Sequence, residues 1–334
     1  MTIQTVISLP QGVRDILPEE TKKITAVETS ILAVFERYGF ARIITPLLEY
    51  VETLSLGMGE SLKDRVLKFI DPSTGRVVAI RPDITPQIAR VVATRMRDYP
   101  LPLRLCYNEN VLRYQEPRDG KSREVLQLGA EFISAGPTPE ADAEMICMAV
   151  ESLLALGLKG FKIDVGDVGF LRAILDRLNV ARAERERIKG AIAIKDSSGL
   201  DAILAGIGPK ALSTGDRRLL LNLTTFYGEE EVLKKAAAFT TGAETAAALA
   251  NLERVMEIIA AKGFKDFITI DLGEVRGFDY YTGIIFEGFA TGIGKAILSG
   301  GRYDTLPAKY GYPVAATGFA FDVENIVTAL DRKF

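Results

Sequence analysis

Residues 111–134 read VLRYQEPRDGKSREVLQLGAEFIS, and this stretch decides the fold class. Two β-rich runs, 111–115 and 124–134, flank a polar loop over 116–123 that contains proline and glycine, so an antiparallel hairpin is expected. A second hairpin is expected over 66–80, where two β-rich runs are joined by turn residues. Because hairpins flanked by helices replace strictly alternating strand–helix units, the sequence predicts an α+β fold with a mixed or antiparallel sheet.

Helical patterns surround these hairpins. Apolar residues recur at helical spacing over 24–38, which predicts a long helix, and Thr138 supplies an N-cap for another. Between 169 and 262 the sequence becomes rich in Ala, Leu, Arg and Glu at helical spacing, with little β signal. We therefore expect residues 1–168 and 263–334 to form one domain and residues 169–262 to form a mainly helical insertion.

Composition excludes several classes of protein. The chain has 334 residues, of which 48% are hydrophobic and 25% are charged, as in ordinary globular proteins. Its 41 basic and 44 acidic residues leave a net charge of −3, without a basic block typical of nucleic-acid binding. The chain contains no histidine, which excludes histidine bases, Ser-His-Asp triads and histidine-ligated metals.

Other features point to a cytoplasmic protein without a cofactor. Cys106 and Cys147 lie in apolar surroundings and lack metal-ligand spacing, which indicates reduced, buried thiols and no metal site. Neither a signal peptide nor a membrane span is recognisable, so we expect a cytoplasmic location and no membrane association. The sequence also lacks the phosphate-binding loops of P-loop and dinucleotide-binding proteins.

Four separated segments combine charged or aromatic residues with strand edges: 81–86, 113–131, 276–283 and 300–304. Any one of them alone is more often structural than functional. Together they resemble the catalytic core of class II histidyl-tRNA synthetases, and the resemblance covers essentially the whole chain. The segments that carry it are Gln11–Pro18, the second class II motif from Leu112 to Glu131, the two histidine-specific segments Arg276–Gly283 and Gly300–Asp304, and the third motif Gly318–Asn325. The resemblance implies a class II synthetase-like antiparallel sheet of six or seven strands flanked by helices, and a homodimer.

The resemblance also implies a histidine-binding pocket, carried over residue by residue. Asp83 and Thr85 would meet the ammonium with Gln127 beside them, Arg113 and Arg276 would lie on the carboxylate side, and Glu131, Tyr281 and Tyr303 would hold the imidazole, with Tyr280 in the same set. These side chains match the charges and hydrogen-bonding groups of a free histidine.

The ATP-binding motifs depart from the synthetase pattern. The second motif has Gln115 where the family has the glutamate that reads adenine, and the third has Asn325 where the family has an arginine that holds ATP. Since ATP needs cationic clamps during adenylate formation, we expect no catalytic residues in this chain. The chain also ends about ten residues after the third motif, so we expect no anticodon-binding domain and no tRNA.

In combining a retained histidine pocket with an ATP site that lacks its family residues, the chain resembles the regulatory subunits of ATP phosphoribosyltransferase. That family implies a role in histidine biosynthesis, an amino-acid biosynthesis pathway, with the short-form catalytic subunit as partner and free histidine as the allosteric feedback inhibitor. It also implies a homodimer within a hetero-oligomer, here a hetero-octamer. Two alternatives stay open: a divergent histidyl-tRNA synthetase core or histidine-activating ligase, since Arg113, Arg123 and Arg276 could contact phosphates, and a scaffold that senses nothing.

Overall fold

The structure is a computed structural model, and it describes residues 8–58, 65–114, 122–275 and 281–332. Its α-helices are α1 Pro18–Arg37, α2 Val51–Gly57, α3 Thr85–Arg95, α4 Pro139–Ala155, α5 Val168–Arg177, α6 Arg182–Ala193, α7 Ser197–Ala205, α8 Thr214–Leu223, α9 Glu231–Phe239, α10 Ala243–Ala261, α11 Thr305–Lys309 and α12 Val323–Asp331. Its strands are β1 Ala41–Arg42, β2 Leu48–Tyr50, β3 Lys68–Ile70, β4 Val77–Ile80, β5 Leu103–Leu112, β6 Glu124–Ser134, β7 Phe161–Asp167, β8 Tyr227–Gly228, β9 Ile268–Asp271, β10 Ile284–Ala290, β11 Ala296–Arg302 and β12 Ala315–Asp322.

The described strands form a large sheet of nine strands, in the order β1-β5-β6-β12-β11-β10-β7-β9-β8, and a small sheet in the order β2-β4-β3. The six central strands of the large sheet, from β5 to β7, are antiparallel throughout, which agrees with the expected class II core. The expected total of six or seven strands is too small. β1 pairs in parallel with β5 at one edge, and β9 pairs in parallel with β7, because a long connection that contains helices separates the two strands of each pair. β8 pairs with β9 at the other edge.

The hairpin over 111–134 is confirmed, but its first strand begins earlier than the predicted run 111–115 and ends at Leu112. β5 is continuous from Leu103 to Leu112 and pairs with β6 along its whole length. The polar residues Asn108, Glu109 and Asn110 interrupt the apolar pattern without ending the strand. Their backbones stay in the ladder, and Glu109 is buried in an ion pair with Arg81.

The large sheet has two different faces. Helices α1, α4 and α12 contribute to the main core on one face, where Leu128 and Ala130 of β6 point. Successive side chains of a strand point to opposite faces, so Ile133 points to the other face, where it belongs to a smaller core formed with α3 and α11. Glu131 lies two residues before Ile133, so its side chain points toward the same smaller core.

Segment 169–262 holds mostly helices, together with β8, which joins the edge of the large sheet. Its last helix, α10, packs against α4 and α5. The division of the chain at 168 and 263 stays a prediction. Among the residues that the structure describes, no helix is both long and apolar enough to cross a bilayer.

Candidate functional site

Glu131 is the most buried acid of the predicted pocket. It lies in the middle of β6, opposite Leu105 of β5 and Gly318 of β12, and is only 1% exposed. A Cβ atom at position 318 would lie 1.6 Å from its Oε2 atom. The side chain therefore fits between the strands only because residue 318 is a glycine.

Three hydroxyl groups surround this carboxyl group. Thr85 at the start of α3 donates from Oγ1 to Oε1 at 2.7 Å, and the Tyr303 hydroxyl donates to Oε2. The Tyr107 hydroxyl lies 3.5 Å from Oε1, which is a long hydrogen bond. Burial raises the pKa of Glu131 to about 8, against the opposing effect of the hydroxyls. A ligand that is cationic or donates an N–H group would favour the ionised carboxylate.

Asp83 and Arg113 form a second charged part of the site. Asp83 accepts a hydrogen bond from the Ile84 amide at 2.9 Å, and burial raises its pKa while the positive charge of Arg113 acts in the opposite direction. Arg113 follows β5 and is held in place because its Nε atom donates to the Pro82 carbonyl at 2.7 Å. An acid and a guanidinium in one site are the groups that bind the ammonium and carboxylate of an amino acid.

Gln127 provides an open acceptor on the same face of β6 as Glu131. Its Oε1 atom is buried and accepts no hydrogen bond from the described part of the chain. Most buried polar atoms in proteins have a hydrogen-bond partner, so this acceptor is available to a ligand that donates a hydrogen bond.

Tyr281 lies beside these groups, just before β10. Burial raises its pKa, and the charges of Asp83 and Glu131 add to the effect, so its hydroxyl stays protonated at neutral pH. A Cβ at Gly301 would lie 2.9 Å from the ring atom Cδ1, so glycine at 301 leaves room for the ring. Arg276 and Tyr280 lie outside the described residues, and their places in the pocket stay predictions.

The structure thus brings several predicted residues together. Hydrogen bonds join Thr85, Glu131 and Tyr303, while electrostatic interactions relate Asp83, Arg113 and Tyr281. Tyr107 was not among the predicted site residues. Its contribution depends on the hairpin register, which places it opposite Gly129, where a Cβ would lie 2.4 Å from the ring.

Charged neighbours of the pocket residues have structural roles instead. Arg302 is buried and ion-paired with Asp142 of α4 and with Asp304. Arg123, suggested above as a possible phosphate contact, lies with its guanidinium 5.3 Å from the centre of the Tyr114 ring. Only Tyr303 of the segment from Arg302 to Asp304 has a described contact with Glu131.

The third-motif residues are also engaged in local structure. The Asp322 carboxylate accepts from the Asn325 amide at 3.0 Å and thereby caps α12. The Asn325 side-chain amide donates to the Ala296 carbonyl at 2.9 Å. Gln115, the departure in the second motif, lies outside the described residues.

Comparisons with known proteins agree with this fold. The family model for histidyl-tRNA synthetase matches residues 12–326. A curated relative from Geobacter sulfurreducens, named ATP phosphoribosyltransferase regulatory subunit, is 48% identical over 97% of this chain and 73% of its own length. A crystal structure titled ATP phosphoribosyltransferase regulatory subunit/histidyl-tRNA synthetase, from Bacillus halodurans, superimposes with a TM-score of 0.88 at 32% identity, over 98% of this chain and 84% of that chain.

A second solved structure, titled histidine–tRNA ligase subunit, from Alicyclobacillus acidocaldarius, has a TM-score of 0.80 at 28% identity and covers 97% of both chains. The relative from Geobacter sulfurreducens is similar over nearly the whole of this chain. The chain therefore belongs to the family of ATP phosphoribosyltransferase regulatory subunits, which share the fold of the class II histidyl-tRNA synthetase core.

Proposed function

We propose that this chain is a non-catalytic regulatory subunit that binds free histidine and controls a short-form ATP phosphoribosyltransferase catalytic subunit. In that role it would be required for the first step of histidine biosynthesis and for feedback inhibition by histidine, in the cytoplasm. The observation that carries the proposal is the buried Glu131 carboxyl group with hydroxyls around it, near the oppositely charged Asp83 and Arg113.

The pocket offers a counterpart for each polar group of histidine. Glu131 would accept an imidazole N–H, with the hydroxyl of Tyr281 beside it. Asp83 and the open acceptor of Gln127 would meet the ammonium. Arg113 would meet the carboxylate, joined by Arg276 from the undescribed segment. Since each charge-assisted contact contributes about 1.5–3 kcal/mol, several of them suffice for micromolar affinity after the cost of ordering.

Thr85 has a different environment from the one that the resemblance implied. Its hydroxyl donates to Glu131, at the imidazole end, whereas the synthetase pattern assigns it to the ammonium. A threonine hydroxyl can donate one hydrogen bond and accept others, so both roles are compatible. We keep Thr85, Tyr280 and Tyr303 in the proposed histidine-binding set.

The proposed absence of catalysis is supported by the third motif. Asp322 and Asn325 are engaged by α12 and by the Ala296 carbonyl, and neither side chain carries a positive charge. A triphosphate with its metal ions needs cationic groups as charge leaves the α-phosphate. On this basis the chain does not activate histidine and does not act on tRNA.

Regulation would follow from a differential affinity of histidine for two assemblies. If histidine binds the less active assembly more tightly, occupancy of the pocket shifts the population toward that assembly. A coupling of about 1–3 kcal/mol gives an effect of about 5- to 150-fold, and the active assembly must bind histidine more weakly by the same factor.

The proposed homodimer has a candidate surface on the small sheet. Large apolar side chains are exposed there and in the segment before β2: Ile44, Leu47, Leu48, Phe69, Ile70 and Val77. Contiguous exposed apolar surface commonly marks protein–protein contacts. The homodimer would be the unit that assembles with catalytic subunits. We propose that the resulting complex is a hetero-octamer.

The deciding experiment mixes the purified chain with a short-form catalytic subunit and measures phosphoribosyl-ATP formation with and without histidine. We expect activation by the chain and inhibition by histidine, together with heat of histidine binding to the chain alone. Activation with no response to histidine would favour the scaffold alternative.

The synthetase alternative has its own support, because the Alicyclobacillus structure titled as a histidine–tRNA ligase subunit matches nearly the whole chain. Histidine-dependent exchange of pyrophosphate into ATP separates the two possibilities. The regulatory proposal predicts no exchange, and exchange above the background of a chain-free sample would contradict it.

A further inference from the structure

Helix α5, at the start of the predicted insertion, contacts the pocket through Arg172. Its Nη2 atom donates to the backbone carbonyl of Tyr281 at 2.8 Å. The side chain of Tyr281 is influenced by both Asp83 and Glu131, as is that of Tyr107. One arginine therefore joins the backbone of a pocket residue to a helix that continues away from the pocket.

A second contact fixes the start of α5 to the same short segment, 281–283. The Val168 amide donates to the Gly283 carbonyl at 3.0 Å. Asp167 caps the helix by accepting from the Gly169 amide at 2.7 Å, and its carboxylate also bonds to Asn251 of α10. The first turn of α5 is thus tied both to the pocket segment and to the last helix of 169–262.

Segment 281–283 is also hydrogen-bonded to the two chain neighbours of Tyr303, Arg302 and Asp304. The Thr282 amide donates to the Arg302 carbonyl at 2.7 Å, and the Asp304 amide donates to the Thr282 hydroxyl at 3.0 Å. Tyr303 lies between those two partners, and its hydroxyl donates to Glu131. Segment 281–283 consequently lies between the Glu131 group and α5.

We propose that Arg172 is a positioning residue that transmits histidine occupancy of the pocket to α5 and the helices that pack on it. The inference rests on the proposed function, because it takes histidine as the ligand of the Glu131 pocket. A ligand that contacts the Tyr281 ring restricts the backbone of residue 281. The guanidinium, with several donors in a fixed plane, carries that restriction to α5.

Beyond α5, ion pairs and packing continue into the helical segment. Arg177 at the end of α5 is paired with Asp216 of α8 at 2.7 Å, and Thr241 also donates to Asp216. Helix α10 packs along α5 and along α4. The response to histidine is therefore expected in α5 first, and then in α8 and α10.

The test is backbone hydrogen exchange of the full chain with and without saturating histidine, after calorimetry has established binding. The variants are Arg172→Ala, Arg172→Lys and a matched control, Arg187→Ala, which removes an exposed arginine of the neighbouring helix α6. In the unmodified chain and in the control, we expect histidine to slow exchange in Val168–Arg177 by about fivefold or more. In Arg172→Ala we expect the slowing to fall below about twofold, and in Arg172→Lys to be partly restored.

The ratio of exchange rates separates transmission from simple destabilisation. If Arg172 only stabilises α5, Arg172→Ala speeds exchange in both states and leaves the ratio unchanged, which overturns the inference. An unmodified chain that binds histidine without slower exchange in α5 overturns it as well, while the sensor function stands. An unmodified chain that gives no heat with histidine overturns the proposed function, and this inference with it.

Discussion

The middle and one end of the β6–β12 strand pair use similar side chains for different purposes. In the middle, Glu131 lies opposite Gly318, and its described partners are hydroxyl groups that a ligand can replace or share. At the end, Gln127 lies opposite Asp322, whose carboxylate is used to cap α12. The local backbone separates these two positions, because the start of α12 provides an amide donor for Asp322 whereas the described partners of Glu131 are hydroxyl groups.

The largest expected effect comes from filling the space beside Glu131. In Gly318→Ala the new Cβ would overlap Oε2, so the carboxyl group must move or the strands must separate. We expect loss of detectable histidine binding, and destabilisation by about 1–3 kcal/mol, typical of an overpacked core. Calorimetry and urea unfolding measure the two effects. Gly190→Ala in α6 is the matched control, since its Cβ would meet no atom within 4 Å. If Gly318→Ala kept the histidine affinity and the stability of Gly190→Ala, the described geometry around Glu131 would be contradicted.

Glu131→Gln is the next largest change, because it keeps the shape of the side chain but removes its charge. We expect histidine affinity to fall by about tenfold or more, in line with about 1.5–3 kcal/mol for a charge-assisted hydrogen bond. Glu151→Gln, a half-buried glutamate of α4 that is bonded to Tyr38, provides the same substitution away from the pocket. Equal affinity in both variants would remove Glu131 from the histidine site.

The raised pKa of Glu131 predicts a smaller, graded effect on stability. Burial raises this pKa from an ordinary value of 4.5 to about 8, so the folded state binds the proton more tightly than the unfolded state. The resulting stabilisation is complete below pH 4.5 and is lost as the pH rises through 8. Glu131→Gln should therefore gain stability relative to the unmodified chain between pH 5 and pH 9, in urea unfolding without histidine. A difference that is constant with pH would show that the carboxyl group is not desolvated in the folded state.

Local patterns made the helices and hairpins predictable from the sequence. The long helix α1 and the N-cap Thr138 were predicted because their signals lie within a few neighbouring residues. The continuity of β5 and the role of Tyr107 were not predicted, because both depend on the register with β6. Asp322 had a readable local signal, an acid directly before an amphipathic helix, which identifies it as a cap.

The pocket itself was predictable only through the resemblance to the synthetases. Its residues come from the start of α3, from β6 and from the segments around β10 and β11, and no local pattern brings them together. The structure shows hydrogen bonds from Thr85 and Tyr303 to Glu131, of which the one from Thr85 was not expected, whereas binding of histidine stays a prediction. The same physical reason applies to Arg172, whose partner Tyr281 is more than a hundred positions away in the chain.

The smallest expected effect concerns Asn325, in the first turn of α12 beside the cap Asp322. Asn325→Ala removes the hydrogen bond from its side-chain amide to the Ala296 carbonyl, so we expect destabilisation by about 1 kcal/mol. Histidine affinity should stay within about threefold of the unmodified chain, which corresponds to less than about 0.7 kcal/mol. Urea unfolding and calorimetry on the same variant give both values.

Asn325→Arg extends the same test by restoring the side chain that the synthetase pattern has at this position. We expect no pyrophosphate exchange, because the Asp322 carboxylate remains beside the new guanidinium as the cap of α12 and competes for its positive charge. If exchange appeared in this single variant, the third motif would be one substitution away from an ATP site. The difference from the synthetase pattern at this motif would then lie in the side chain at position 325 rather than in the backbone groups around it.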